Sequence, residues 1–274
     1  MNQSESLVAS DGLLARPTGK WVHDKKYYLE RYLATSTKAV GRKWNGKLAY
    51  IDLFSGPGRS LIRGTQEEVE GSPFVALSSS FASYVFVDVP EVLATLKQRL
   101  KGHPKLSKIA FVRGDCNEVI DEVLAASPAD HLTVAFIDPT GLQIHFRTIE
   151  RLVHNRKVDL LMTVQFGMGI VMNLRQYVQS EGDALTAFLG SDSWREDVQA
   201  GGSDSQIGHR IVNRYLGQLR SLGYESVRDR EIPVHSDQNR LLLYFIVLAS
   251  RNPRAHDLWR KITEVEASGQ RRLL

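Results

Sequence analysis

Four acidic residues and one glycine-rich bend carry the chemistry that can be read from this chain. Asp52 closes the apolar part of "YIDLFSGPGRS" (50–60), shortly before Gly56 and Gly58. Asp88 ends "YVFVDV" (84–89), Asp115 follows "IAFVRG" (109–114), and Asp138 ends "LTVAFIDP" (132–139) beside Pro139. Glycine at a bend admits positive φ and has no Cβ, so a ligand can lie against the backbone. Carboxylates beside such a bend suit hydroxyl, amino and cationic groups. A single acid at a strand end more often caps the next helix. Four on successive strand ends, together with Gly-Pro-Gly, point to a ligand.

The elements that must position these residues follow from hydrophobic pattern. Nearly continuous apolar runs predict strands over 48–54, 84–89, 109–114, 132–139 and 158–164. Helical patterns fall between them, over 72–82, 90–102, 117–127 and 146–155. Ser72 reads as an N-cap with Pro73 in the first turn, and Pro90 and Gly102 bracket the next helix. Strands apolar on both faces imply a parallel sheet covered by helices on both sides. All four acids then emerge on one edge, where such sheets bind ligands.

Residues 1–17 lack periodicity and predict a flexible tail, so the domain is taken as 18–274. A helix over 25–40 packs beside the sheet. Residues 165–204 break the rhythm with short helical pieces and read as an insertion. A helix over 204–223 follows. Strands over 226–235 and 240–250 form a hairpin around "SDQN", and a helix over 256–267 ends the pattern. The expected fold class is α/β and Rossmann-like: a mostly parallel sheet with a C-terminal antiparallel hairpin and a helical insertion.

Composition sets few limits. Net charge is +4 and the isoelectric point about 9.1, which fits a nucleic-acid partner but more often reflects a solvated surface. The single cysteine, Cys116, excludes an internal disulfide and a Cys-rich metal site. The longest apolar run, "LLLYFIVLA" (241–249), is half of the roughly 18 residues that a membrane helix needs. No secretory leader is visible, so a cytoplasmic protein is expected.

The bend is not the dinucleotide fingerprint, which would need glycine at Leu61. It runs into Glu67, Glu68 and Glu70, which would repel a pyrophosphate. A nucleoside with a cationic remainder fits better, and S-adenosylmethionine has that form. Asp88 would take the ribose hydroxyls and Asp115 the adenine amino group, with the Cys116 backbone N–H beside the ring. Asp52, Phe54, Gly56 and Gly58 would surround the methionine end.

"DLFSGPG", "GSPFVAL", "RGDCNEVI", "AFIDPTG" and "YFIVLASRNPRAHDLW" together resemble the three-Cys-motif partner protein family (TcmP) over about residues 20–265. The resemblance implies a class I S-adenosylmethionine-dependent methyltransferase fold, near an rRNA adenine-N6 group, and a companion protein with a three-cysteine motif. In the adenine-N6 group a basic pair near the N-terminus helps hold the cofactor. Lys25 and Lys26 stand at that place, and a solvated helix start is the equal alternative.

Three acceptor chemistries compete. Cytosine C5 methylation needs a Pro-Cys nucleophile, and no proline precedes Cys116. Methylation of a base amino group uses D-P-P-[YF], and only Asp138 and Pro139 of that motif remain, with Thr140 and Gly141 behind them. Asp138 keeps the role of amino-proton acceptor, while ring stacking is lost unless Phe146 supplies it. Phe146 reads as core and His145 as surface. A small-molecule or protein acceptor is the third option, with Gly167, Gly169 and Arg175 as a cap beyond the fifth strand. The favoured reading is a methyltransferase acting on a base amino group in nucleic acid. Its alternative is a non-catalytic module that works with the three-cysteine partner.

Overall fold

The computed structural model describes residues 7–41, 43–179, 184–224, 231–237, 240–267 and 269–270. Two strands, β1 (Leu7–Val8) and β2 (Leu14–Thr18), precede helix α1 (Val22–Val40). Strand β3 (Leu48–Asp52) leads through the glycine bend into a hairpin of β4 (Arg59–Ile62) and β5 (Glu68–Glu70). Then come α2 (Ser72–Leu77), β6 (Ser83–Asp88), α3 (Pro90–Arg99), β7 (Ile109–Arg113) and α4 (Ile120–Ala126). Next are β8 (Leu132–Ile137), α5 (Phe146–Val153) and β9 (Lys157–Gln165). Short helices α6 (Leu174–Gln179), α7 (Ala184–Leu189) and α8 (Trp194–Gln199) lead to α9 (Asp204–Ser221). The chain closes with β10 (Ile232–His235), β11 (Leu242–Ala249) and α10 (Pro253–Thr263).

The large sheet has the order β10-β11-β9-β8-β3-β6-β7. Pairs β8–β9, β3–β8, β3–β6 and β6–β7 are parallel, and β11 runs antiparallel to both β9 and β10. The Rossmann-like arrangement expected from the sequence is therefore present, with its antiparallel hairpin. Its strands are apolar throughout because both faces are covered. On β3, Ile51 faces the core shared with α4, α5 and α9, while Leu48 and Tyr50 face the core shared with α1, α2 and α10. The chain leaves β3 towards β6 and β7, then returns to place β8 on the other side. That reversal opens a crevice beyond the carboxyl ends of β3 and β8.

The tail expected over 1–17 needs correction. Residues 1–6 lie outside the described residues, but Leu7–Val8 and Leu14–Thr18 are strands of a second sheet, β1-β2-β4-β5. Arg16, Pro17 and Thr18 pair in parallel with Ser60, Leu61 and Ile62. Such a partnership, more than 40 residues away in sequence, leaves no local periodic signal. The stretch read as an acidic loop is likewise the β4–β5 hairpin. Gly71, not Ser72, is the N-cap of α2, with extended backbone at φ −75° and ψ 170°, and the Ser72 hydroxyl bonds to Asp52 instead. Residues 226–230 of the expected strand over 226–235 lie outside the described residues, as do residues 238 and 239 of its turn.

Candidate functional site

The bend after β3 follows from its glycines. Gly56 has φ +65° and Gly58 φ +91°, a region that costs other residues roughly 1–2 kcal/mol. Space also requires Gly58: a Cβ there would lie 2.8 Å from Phe74 Cε2 and 2.9 Å from Leu96 Cδ1. Gly71 closes the bend by donating its N–H to the Gly58 carbonyl at 2.8 Å. Gly56 is different, because only the Arg16 guanidinium approaches it.

A narrow cleft of about 60 Å³ opens over this bend, smaller than most small-ligand sites. Lys25, Phe54, Gly56, Gly58 and Asp138 line it, so five of the ten residues singled out from the sequence meet there. They come from α1, the bend and the end of β8, across the point where strand order reverses.

The other five lie around or beneath it. Asp52 is fully buried, and burial pushes its carboxyl up to about 7. The Tyr50 hydroxyl donates to it at 3.3 Å, as does the Phe54 N–H. Asp52 thus pins the bend from below, where the sequence placed it against the ligand. Asp88 accepts the Gly56 N–H at 2.7 Å and the Val89 N–H at 2.8 Å. It fixes the bend from the neighbouring strand while remaining half-buried. Asp115 is exposed and accepts from the Asn117 backbone and side chain, each at 2.8 Å. Cys116 is buried, and burial pushes its thiol up to about 12, which suits packing rather than nucleophilic chemistry.

Asp138 and Pro139 form a hydrogen-bonded cluster with the chain itself. Lys25 Nζ donates to Asp138 Oδ2 at 2.5 Å, and Thr163 Oγ1 donates to Oδ1 at 2.9 Å. The Pro139 carbonyl accepts from Gln165 Nε2 at 2.8 Å. Each acceptor that could take amino protons therefore holds a donor from the chain itself. The Lys25–Asp138 pair is largely buried, with side chains 23% and 10% exposed. Lys25, expected to face the cofactor, is committed to that pair. No ring follows Pro139, and Phe146 is core, 5.9 Å from Tyr215.

Several contributors had no sequence signal. Thr163 and Gln165 sit at the end of β9 and look like ordinary strand residues. Asn117 is buried and ties the loops after β7 and β8 together, accepting from His145 N and Thr148 Oγ1 and donating to the Gln143 carbonyl. Arg16 enters the cleft from β2. By contrast, Gly167 and Gly169 pack on their own chain. A Cβ at Gly167 would lie 2.5 Å from the Leu242 carbonyl, so these glycines serve packing rather than a substrate. Arg175 is almost fully exposed.

No family model matches the chain, and no curated protein matches it. Among solved structures it is similar to protein LPL1258 from Legionella pneumophila, with TM-score 0.56 and 12% identity, covering 92% of this chain and 95% of that one. Weaker likenesses include an O-methyltransferase from Bacillus cereus in complex with SAH, with TM-score 0.46 and 8% identity over 82% and 80% of the two chains. Another is the O-methyltransferase TomG from Streptomyces achromogenes in complex with SAM, with TM-score 0.43 and 10% identity over 83% and 80%. Among the described residues no helix is long and apolar enough to cross a membrane, and no group of three or more His, Cys, Asp or Glu is placed to hold a metal.

Proposed function

We propose that the cleft binds S-adenosylmethionine and that the protein is a methyltransferase whose acceptor lies against Asp138. The observation that carries this reading is the placement of the side-chain-free bend and Asp138 in one cleft at the strand-order reversal. Gly56 leaves the backbone open to the methionine end of the cofactor. In this reading Asp88, which holds the Gly56 N–H, would also take the ribose hydroxyls, and Asp115 and the Cys116 N–H would take the adenine. Bound there, the cofactor would supply an already activated methyl group. The chain then has mainly to hold the acceptor and exclude water.

The acceptor we propose is a base amino group in nucleic acid, consistent with the net charge of +4. Such a group would compete with Lys25 for Asp138 Oδ2 or use a lone pair that the present hydrogen bonds leave open. Thr163 and Gln165 would keep Asp138 and Pro139 oriented during that exchange. The engagement of these acceptors by the chain's own donors and the missing ring favour a second reading: a methyltransferase-fold module that binds cofactor and acts through a three-cysteine partner.

Calorimetric titration with S-adenosylhomocysteine tests the first claim. The full chain is expected to bind, and Asp88→Ala to weaken binding at least ~10-fold, the loss expected for hydrogen bonds to a charged group. Arg175→Ala should bind as wild type. No heat of binding with the wild-type chain would refute the cofactor site. Labelled methyl transfer to RNA or DNA separates the enzyme from the module.

A further inference from the structure

We infer that Arg16 is the carboxylate-binding residue of the cleft, and that the amino-terminal sheet exists to hold it over the glycine bend. The inference rests on the cofactor reading above. The group concerned is the α-carboxylate at the amino-acid end of S-adenosylmethionine.

The charge pairing in the cleft leads to Arg16. Four cations line it: Arg16, Lys25, Lys26 and Arg59. Lys25 pairs with Asp138 at 2.5 Å, Lys26 with Glu70 at 3.3 Å and Arg59 with Glu68 at 2.7 Å. Arg16 has no hydrogen bond or ion pair among the described residues. It is half-buried as a residue, and its guanidinium lines the cleft without a partner of its own among the described residues. A planar guanidinium pairs best with a carboxylate, through two parallel N–H donors.

Its position matches that need. A Cβ at Gly56 would lie 3.8 Å from Arg16 Cζ and 4.0 Å from Nη1. The guanidinium therefore hangs over the residue whose bare backbone leaves room for a ligand. Lys25, which the sequence suggested for the cofactor, is held by Asp138.

The support beneath Arg16 is rigid. Arg99 on α3, only 2% exposed, donates to the Asp11 carboxylate at 2.7 and 2.9 Å. It also donates to the carbonyls of Leu14 at 2.7 Å and Pro57 at 2.5 Å. One guanidinium thus ties the strand that carries Arg16 to the bend that Arg16 covers. The Arg99 hydrogen bond holds the Asp11 carboxyl down at about 2, so the tie stays ionised through any working pH. Parallel pairing of Arg16 with Ser60 fixes the register.

The test compares two nucleosides by calorimetry on the full-length chain: S-adenosylhomocysteine, and 5′-methylthioadenosine, which lacks the amino-acid group. Wild type should prefer the former. Arg16→Ala should cut its affinity by ~10–100-fold, the value of one charge-assisted pair, and leave 5′-methylthioadenosine within about twofold, so that the preference collapses. Arg16→Lys should keep part of the preference. Thermal melts should show both variants folded, because the Arg16 side chain has no hydrogen bond or ion pair among the described residues. An unchanged preference in Arg16→Ala overturns the assignment while leaving the cofactor site standing. Tighter binding of both nucleosides overturns it too, and makes Arg16 a plug. Failure of wild type to bind either nucleoside overturns the cofactor reading and the assignment with it.

Discussion

The two rims of the large sheet are built on opposite plans. At the amino-terminal rim a cavity of about 660 Å³ opens between α1 and α10, walled by Trp44, Phe81, Leu132 and Val134. It is about eleven times the size of the carboxyl-rim cleft of about 60 Å³, yet its polar groups are settled. Buried Asp159 accepts from the Tyr32 hydroxyl at 3.0 Å and from the Ser250 hydroxyl. Arg156 donates to the carbonyls of Ser127 and Leu124, and Arg251 to that of Leu222. Lys43, Lys157 and Arg254 are exposed to water and need no partner. The carboxyl-rim cleft is smaller, but it holds a bare backbone bend and a half-buried cation without a mate. Volume alone does not mark a site. Polar groups left to be satisfied by something else do.

Three changes test that contrast. The largest effect is expected from Gly58→Val, which combines a positive φ with collisions against Phe74 and Leu96. Strain and overpacking together should cost about 4 kcal/mol, read by chemical denaturation. A variant as stable as wild type would mean that the bend is not placed as described.

Next is Asp52→Asn. Burial raises the carboxyl from 3.8 to about 7, so the native state holds this proton more firmly than the unfolded chain does. Stability linked to Asp52 is therefore present below about pH 4 and is lost as pH rises through about 7, by at most about 4 kcal/mol. Asp52→Asn should flatten that decline in melts taken from pH 4 to 8. A decline unaltered in the variant would put its source elsewhere.

The smallest effect is expected at the opposite rim. Asp159→Ala strands the Tyr32 and Ser250 hydroxyls and should cost about 2 kcal/mol. S-adenosylhomocysteine affinity should not change. A loss of affinity would show that the rims are coupled and would break the comparison.

Much of the fold was legible because its strands are sandwiched. Runs such as "LTVAFIDP" can be apolar at every position only when both faces are covered, and that implies the parallel sheet. The glycine bend and Asp138 were legible for a similar reason: positive φ and a strand-end acid are local features. The second sheet was not. Leu14–Thr18 contains Arg16 and Pro17, has no alternation, and becomes a strand only through Ser60–Ile62. The burial of Asp52 and the pairing of Lys25 with Asp138 were not legible, for want of depth. Strand ends place a residue on an edge but do not say whether it faces the cleft, lies beneath it or is already paired.

The sequence by itself determined the layered α/β architecture, the sheet edge where the glycine bend and Asp138 emerge and the residue types gathered there, because these follow from local propensity and from the pattern of burial along each strand. Only the tertiary structure decided which charges cancel. Ion pairs such as Lys25 with Asp138, and the solitary state of Arg16, depend on distances between segments far apart in the chain, and the fall of Coulomb attraction with distance makes those separations decisive.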